Sequence, residues 1–260
     1  MPFVQLKDAR IHYDLAGPTN APVLVFSNSL GEDLSMWDPQ VPVFQKAYRV
    51  LRYDTRGHGQ SSVTPGPYTI EQLARDVLAL LDKLAFERVH FCGLSMGGQT
   101  GIWLALNAAA RLHKLVLCNT AAKIGTPEMW NPRIETVRNN GMKSISKAVL
   151  ERWFSTEYRT KSPDAVSTTQ RTLESANPDG YIANCAAVRD FDARETVAAI
   201  HVPTLVISGT HDAATTPADG RYLAEHIAGA RYAELNAAHL SNIEDRDRFN
   251  LEVSTFLLSS

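Results

Sequence analysis

Cysteine is scarce in this chain of 260 residues, which contains three of them. Cys92, Cys118 and Cys185 are widely spaced, and none belongs to a Cys-x-x-Cys motif. An odd set without paired spacing argues against a disulfide framework and against a structural zinc site. We therefore expect free thiols and a protein of a reducing compartment, the cytoplasm.

The chain also lacks long apolar runs and an excess of charge of one sign. No window approaches the roughly 18 uninterrupted apolar residues of a membrane-spanning helix. Residues 1–17 carry charges where a signal peptide needs an apolar stretch. The formal net charge is -2, which favours neither a nucleic-acid partner nor an electrostatic membrane anchor. We expect no nucleic acid, no membrane and no obligatory protein partner.

Motifs for nucleotides and catalytic metals are absent too. The sequence has no P-loop, no Gly-x-Gly-x-x-Gly after its first strands and no His-Glu-x-x-His. We therefore expect neither a cofactor nor a metal site.

What the chain does have is enough apolar material for one large core, since 44% of its residues are hydrophobic. Short apolar runs alternate with segments of helical period, and they predict strands at 21–29, 48–54, 88–93, 113–119, 202–209 and 230–236. Most runs are apolar on both faces, which is typical of a parallel sheet covered by helices on both sides. Residues 3–6 and 10–16 predict an antiparallel hairpin at the sheet edge. The fold class is α/β, with a mostly parallel, doubly wound sheet.

One long segment, residues 123–190, contains no convincing strand. It has three helix starts in which a capping residue precedes proline: Thr126-Pro127, Ser162-Pro163 and Asn177-Pro178. A helical block between two sheet strands predicts a cap. The cap would be inserted into a core made of residues 1–122 and 191–260.

Ser95 lies in Gly-Leu-Ser-Met-Gly, a Gly-x-Ser-x-Gly motif between a predicted strand and a predicted helix. In a strand-to-helix elbow the serine backbone is strained, and neighbours without side chains relieve the crowding. The pentapeptide is common by chance, and a serine that merely caps the helix is the alternative. Its position between strand and helix favours a nucleophile.

A serine nucleophile needs a base, and the base needs an acid that orients it. On this kind of sheet the expected chain order is serine, acid, histidine. Asp212 follows the strand predicted at 202–209, and His239 follows the last strand. Both should lie at the carboxyl edge of the sheet with Ser95. The alternatives are a helix-capping role for Asp212, a backbone-bonded loop role for His239, and His211 as the competing histidine.

The negative oxygen that develops during acyl transfer needs two hydrogen-bond donors. The N–H group of Met96, directly after the nucleophile at a helix N-terminus, should supply one. The other should come from the loop after the first long strand, where Leu30 is the best placed by position.

At this point the chain resembles the α/β-hydrolase superfamily and, within it, the 3-oxoadipate enol-lactonases. The similar stretches run from about residue 27 to about residue 250 and include "SNSLGEDLSMWDPQV", "RYDTRGHGQSS", "GLSMGG", "AAKIGTPEMWNPRI" and "AAHLSNIEDRDRFN". "SNSLG" and the cap stretch are the more specific of these. The sequence departs from the usual superfamily pattern at Asn28-Ser29, where a His-Gly pair is expected.

The resemblance implies an α/β-hydrolase fold and hydrolysis of a small anionic substrate. That substrate would be a five-membered enol lactone with an acetate arm, opened to 3-oxoadipate in the protocatechuate/catechol branch of aromatic catabolism. Ser95 would attack the lactone carbonyl while His239 accepts its proton, and His239 would then activate water. Asp54, Arg56 and His58 are interpreted as residues that organise their loop.

The substrate carboxylate would need a cation, and the cap offers Arg133 three residues after Trp130, on one helix face. A guanidinium beside an indole suits a small carboxylic acid. The alternative is that Trp130 is cap core and Arg133 pairs with Glu135 or another acid on the surface. Lys123 and Arg138 are weaker candidates for the same role.

Two other functions remain open at this stage. A carboxylesterase or perhydrolase of the same fold would keep the triad without an anion-binding pocket. A non-catalytic ligand receptor would need no intact triad at all.

Overall fold

The computed structural model describes residues 2–259. Its strands form one sheet in the order β1-β2-β4-β3-β5-β6-β7-β8. The strands are β1 Phe3–Gln5, β2 Arg10–Ala16, β3 Val23–Ser27, β4 Arg49–Tyr53, β5 Val89–Leu94, β6 Leu112–Cys118, β7 Thr204–Gly209 and β8 Arg231–Leu235. Strands β3 to β8 pair in parallel, whereas β1 with β2 and β2 with β4 are antiparallel. The mostly parallel sheet and its edge hairpin are confirmed, and every strand end lies within two residues of the predicted one.

The middle of the sheet is buried on both faces because its strands carry runs of successive apolar residues, as in β3, where every residue is buried. In β3, Leu24 and Phe26 belong to one buried cluster, and Val23 and Val25 belong to a second. Successive side chains of a strand point to opposite faces, so the two clusters are the cores on the two sides of the sheet. The core helices are α1 Val41–Phe44, α2 Ile70–Lys83, α3 Met96–Asn107, α9 Pro217–His226, α10 Ser241–Glu244 and α11 Arg246–Leu258.

The chain between β6 and β7 is helical. Its helices are α4 Pro127–Asn140, α5 Lys143–Trp153, α6 Thr156–Lys161, α7 Pro163–Ser175 and α8 Pro178–Asp190. Helices α4, α7 and α8 begin at the three prolines that the sequence singled out, which confirms those starts. At the base of this insertion, the Ala193 N–H donates to the Ala122 carbonyl at 2.9 Å.

Two cap helices were missed by the sequence reasoning. Helix α5 follows Gly141, whose φ is +72°, and it has Met142 at its N-cap with no capping side chain. Helix α6 has a capping residue, Ser155, but no proline follows it. Both starts therefore lack the cap-plus-proline signal that marked the other three.

The three cysteines are free and buried. Cys92 and Cys118, on neighbouring strands, have their sulfur atoms 3.8 Å apart without a bond. Among the described residues, no group of three or more His, Cys, Asp or Glu side chains could hold a metal ion. Within the same range, no helix is long and apolar enough to cross a bilayer.

Candidate active site

Ser95 forms the turn between β5 and α3, with φ 59° and ψ -114°. A positive φ is strained for a residue with a side chain and is characteristic of functional positions. The turn depends on its glycines, because a Cβ at Gly93 would lie 2.1 Å from the Gly97 carbonyl oxygen. A Cβ at Gly97 would lie 2.2 Å from the Ser27 carbonyl oxygen. The glycines therefore let the helix approach the strands closely enough to form the elbow.

The Ser95 backbone is held on both sides while its hydroxyl is left free. Its N–H donates to the Cys118 carbonyl at 2.9 Å, and its carbonyl accepts from the Thr120 hydroxyl at 2.7 Å. The Ser95 side chain makes no capping hydrogen bond to α3, so the helix-cap interpretation is wrong. Its hydroxyl lines a cavity of about 240 Å³ between core and cap, here called the active-site cavity.

Asp212 follows β7 and His239 follows β8, and the two side chains contact each other beside this cavity. The His239 Nδ1 lies 2.8 Å from Asp212 Oδ2, and both side chains are buried. Because a carboxylate accepts, Nδ1 carries the proton, and Nε2 keeps the lone pair that a general base needs. His239 and Ser95 line the same cavity. The structure thus brings the three predicted triad residues to one site.

Both oxygens of the Asp212 carboxylate accept several hydrogen bonds. Its Oδ1 accepts from the backbone N–H groups of Ala214 and Thr215 at 2.8 and 3.0 Å. Its Oδ2 accepts from the Thr215 hydroxyl at 2.8 Å and from Asn119 Nδ2 at 3.0 Å. Burial alone would raise the pKa of Asp212, but the charge of His239 and these hydrogen bonds outweigh it and lower that pKa. The acid stays ionised and holds the histidine in one tautomer.

Asn119 is a site residue that the sequence reasoning missed. It follows β6 with φ 44°, and its Nδ2 donates to both Asp212 and the Ala238 carbonyl, the latter at 3.1 Å. Its Oδ1 accepts from the Ser241 hydroxyl at 2.5 Å. Asn119 therefore ties the acid loop to the histidine loop. A polar residue at the carboxyl end of a buried strand was the available signal.

The competing interpretations of the histidines and of Asp212 are wrong. His211 is exposed, bonds to Asn236 Oδ1 at 3.0 Å, and does not line the active-site cavity. Helix α9 is capped by Thr216 in a capping box with Asp219. Asp212 is therefore free of that role.

The two predicted oxyanion donors are available. Within residues 2–259, the backbone N–H groups of Leu30 and Met96 donate no hydrogen bond. Met96 begins α3, where N–H groups are unpaired and the helix dipole favours negative charge. The neighbouring Gly97 N–H donates to the Asn28 carbonyl at 3.1 Å and ties the two donor segments together.

Residues 28–34, here called the oxyanion loop, are fixed by hydrogen bonds to residues outside the cavity. Asn28, where the superfamily pattern has histidine, donates to the Tyr53 carbonyl at 2.9 Å and accepts from Trp37 Nε1 at 3.0 Å. The Gly31 N–H donates to His58 Nε2 at 2.8 Å. The departure from the pattern therefore leaves a firmly bonded loop.

His58 lies between this loop and the cap. Its Nε2 must carry a lone pair to accept from Gly31, and its Nδ1 lies 3.3 Å from Asn184 Nδ2 on α8, a contact between two donors in the neutral ring. Burial lowers the pKa of His58 to about 4. The imidazole is therefore neutral near pH 7 and suited to its acceptor role, in line with the interpretation of His58 as a loop organiser.

Trp130 and Arg133 both line the active-site cavity. The Arg133 guanidinium carbon lies 5.0 Å from the centre of the indole ring, and Trp130 Nε1 donates to the Ile124 carbonyl at 2.8 Å. The pairing of Arg133 with Glu135 is wrong, because Glu135 pairs with Arg138. Arg133 thus remains free of an acidic partner within the described chain.

The weaker cation candidates lie elsewhere. Lys123 pairs with Asp192 at 3.4 Å, and neither Lys123 nor Arg138 lines the cavity. A cation that sequence reasoning overlooked, Arg152 on α5, does line it. Arg152 precedes Trp153, another cavity residue, but adjacent residues of a helix do not share a face, so the sequence offered no signal for Arg152.

Comparison with known proteins gives similarity along nearly the whole chain. A family model described as alpha/beta hydrolase fold matches residues 22–246. 3-Oxoadipate enol-lactonase 1 of Acinetobacter baylyi is 44% identical over 94% of this chain and 91% of its own length. 3-Oxoadipate enol-lactonase 2 of that organism is 42% identical over 96% and 94%. The solved enol-lactonase from Burkholderia xenovorans LB400 is 51% identical with a TM-score of 0.98, over 99% of this chain and 100% of that one.

Proposed function

This chain belongs to the α/β-hydrolase family and, within it, to the 3-oxoadipate enol-lactonases, and we propose that it opens the ring of 3-oxoadipate enol-lactone to give 3-oxoadipate. One observation carries the proposal for this chain: a serine elbow with its His–Asp pair shares a cavity with an arginine that has no acidic partner among residues 2–259. The first part supplies acyl transfer, and the second supplies recognition of a carboxylate.

The reaction begins with attack of Ser95 Oγ on the lactone carbonyl while His239 Nε2 takes the hydroxyl proton. The negative oxygen is stabilised by the N–H groups of Leu30 and Met96. The ring C–O bond then breaks, His239 gives its proton to the departing oxygen, and the resulting enol tautomerises to the ketone. His239 next takes a proton from water, which attacks the acyl-enzyme, and passes that proton to Ser95 Oγ as the acid is released. These steps use neither a cofactor nor a metal ion.

Asp212 orients His239 throughout this catalytic cycle. It holds the His239 Nδ1 proton, which fixes Nε2 as the atom that faces the hydroxyl. The positive imidazolium that forms during attack lies beside a carboxylate whose pKa is already low, so the charge pair needs no rearrangement.

Recognition of the acetate arm is assigned to Arg133. Its stacking on Trp130 orients the planar guanidinium, which can present two parallel N–H groups to a carboxylate. We also propose a cytoplasmic setting in protocatechuate/catechol catabolism, in view of the free thiols and of the relatives' names. The proposed substrate is a small anionic lactone, and the proposal includes no nucleic acid, membrane or protein partner.

The test is a direct assay of the purified protein with the enol lactone and with a neutral ester, 4-nitrophenyl acetate. We expect conversion of the lactone to 3-oxoadipate, with kcat/KM at least about tenfold above that for the neutral ester. A preference for the neutral ester would favour a carboxylesterase or perhydrolase instead. Failure of a fluorophosphonate probe to label Ser95 would reject an enzymatic role and leave the receptor alternative.

A further inference from the structure

The cap side of the active-site cavity carries two arginines from two different helices. Arg133 lies on α4 and is half-buried, Arg152 lies on α5 and is exposed, and both line the cavity of about 240 Å³. No aspartate or glutamate lines that cavity. The pocket around Ser95 therefore holds two positive charges and no fixed negative one.

Neither guanidinium group has a partner of opposite charge. Within residues 2–259, no carboxylate lies within 4.0 Å of Arg133 or Arg152. Two other cap arginines do have such partners: Arg138 pairs with Glu135, and Arg189 pairs with Asp190 at 2.7 Å. Arg159 and Arg171, outside the cavity, bond instead to hydroxyl groups of their own helices. Acids are thus available on the cap surface, and the cavity arginines are left without them.

Two like charges that share a small space repel each other. Burial and then the positive charge of Arg133 lower the pKa of Arg152, which places the two groups within electrostatic reach of one another. An anion between them would relieve this repulsion and would bind more tightly than an anion at either charge alone.

We propose that Arg152 and Arg133 form a two-arginine clamp around one carboxylate, with Arg152 as a substrate-binding and specificity-determining residue. This proposal rests on the proposed function, since the carboxylate is the acetate arm of the lactone. Arg133 is oriented by its stacking on Trp130, and Arg152 closes the other side of the carboxylate from α5. The site then selects small esters that carry a carboxylate at a distance from the reacting carbonyl.

The clamp has a consequence for the product. Ring opening and then hydrolysis of the acyl-enzyme leave the clamped carboxylate unchanged and create a second carboxylate beside Ser95, so the product carries two negative charges. Dicarboxylates of similar chain length, such as adipate, are therefore expected to bind competitively. The free enzyme, whose two arginines repel each other, is expected to be stabilised against heat by such ligands.

The kinetic test uses Arg152→Gln with a matched pair of substrates, the enol lactone and its methyl ester at the acetate arm. We expect KM for the lactone to rise about tenfold or more, as for loss of a charge-assisted hydrogen bond, with kcat changed less than about twofold. The methyl ester should be unaffected. The control is Arg138→Gln, another cap arginine that lies outside the cavity and should change nothing. An unchanged KM, or equal losses on both substrates, would overturn the clamp.

A binding test separates the clamp from the proposed function. Calorimetry with adipate should show binding to the wild-type protein and to Arg138→Gln, and at least about tenfold weaker binding to Arg152→Gln. The unliganded Arg152→Gln protein should melt no lower than wild type, because a repulsion has been removed. Adipate binding without lactone turnover would reject the function and keep the clamp. Turnover with undiminished adipate binding in the variant would reject the clamp and keep the function.

Discussion

The core side and the cap side of the active-site cavity differ in whether their polar groups have hydrogen-bond or ion-pair partners within the protein. On the core side, the polar groups that position the chemistry are bonded to one another: Asp212 accepts from His239, Asn119 and the Thr215 backbone, and Gly31 donates to His58. The cap side instead exposes guanidinium groups without acidic partners. Hydrogen bonds hold the core-side groups in the geometry that the transition state needs, whereas a guanidinium without an acidic partner is available to bind an anionic ligand. The core therefore decides the reaction, and the cap decides the substrate.

This difference predicts two kinds of variant. Changes on the core side should lower kcat on acidic and neutral substrates alike, because every ester uses the same transition-state contacts. Changes on the cap side should alter KM for carboxylate-bearing substrates and spare neutral ones.

The largest effect is expected for Ser95→Ala. Removal of the nucleophile should lower kcat by roughly 10⁴–10⁶ for both the lactone and a neutral ester. Steady-state turnover measures the loss, and an unchanged melting temperature shows that the fold survives. Near-normal turnover would mean that the elbow serine is not the nucleophile.

Acid should weaken the core side through His58. Its pKa is about 4 in the folded protein against an ordinary 6.5, so between these values the unfolded chain binds a proton that the folded protein excludes. Stability is therefore lost as the pH falls from 6.5 to 4, by about 3 kcal/mol at 1.36 kcal/mol per pKa unit. Urea unfolding of wild type and His58→Gln across this range isolates the contribution. His201→Gln, at an exposed position before β7, is the control, and parallel pH curves for wild type and His58→Gln would contradict the assignment.

His58 also offers a smaller test of how the oxyanion loop is held. His58→Phe fills the space but removes the acceptor of the Gly31 N–H, which should displace Leu30 and lower kcat by up to about 10² on both substrate types. Affinity for a boronic acid that mimics the tetrahedral intermediate should fall in parallel, while adipate affinity stays unchanged. His58→Gln, which retains an acceptor, should recover part of the loss. A change confined to KM would show that His58 acts on the cap instead.

The sequence predicted the core side more completely than the cap side, for a physical reason. Buried parallel strands have continuous apolar runs, and Ser95, Asp212 and His239 each follow one of them, so strand order alone placed the triad. The strained elbow at Ser95 could be predicted because its helix packs so closely against the strands that glycine is required at the contact positions. Asn119 was missed because an asparagine at a strand end has many ordinary roles, and its bridging bonds join residues that are distant in sequence.

The cap was less predictable because its signals are local and incomplete. Prolines marked the starts of α4, α7 and α8, but α5 begins without a capping side chain, and its position was therefore not expected. Arg152 lies on that helix. Whether an arginine faces solvent, an acid or a cavity depends on how helices pack, and no local pattern separates these outcomes. The same limit is why the pairing of Arg133 with a surface acid had to stay open as an alternative.

The central claim, that the cap side selects the substrate while the core side performs the chemistry, is tested most directly by Arg133→Ala. The measurement is kcat/KM for the enol lactone and for 4-nitrophenyl acetate in wild type and variant. We predict a loss of about 1–3 kcal/mol in transition-state stabilisation for the lactone and almost none for the neutral ester. Equal losses on both substrates would contradict the division of labour between cap and core.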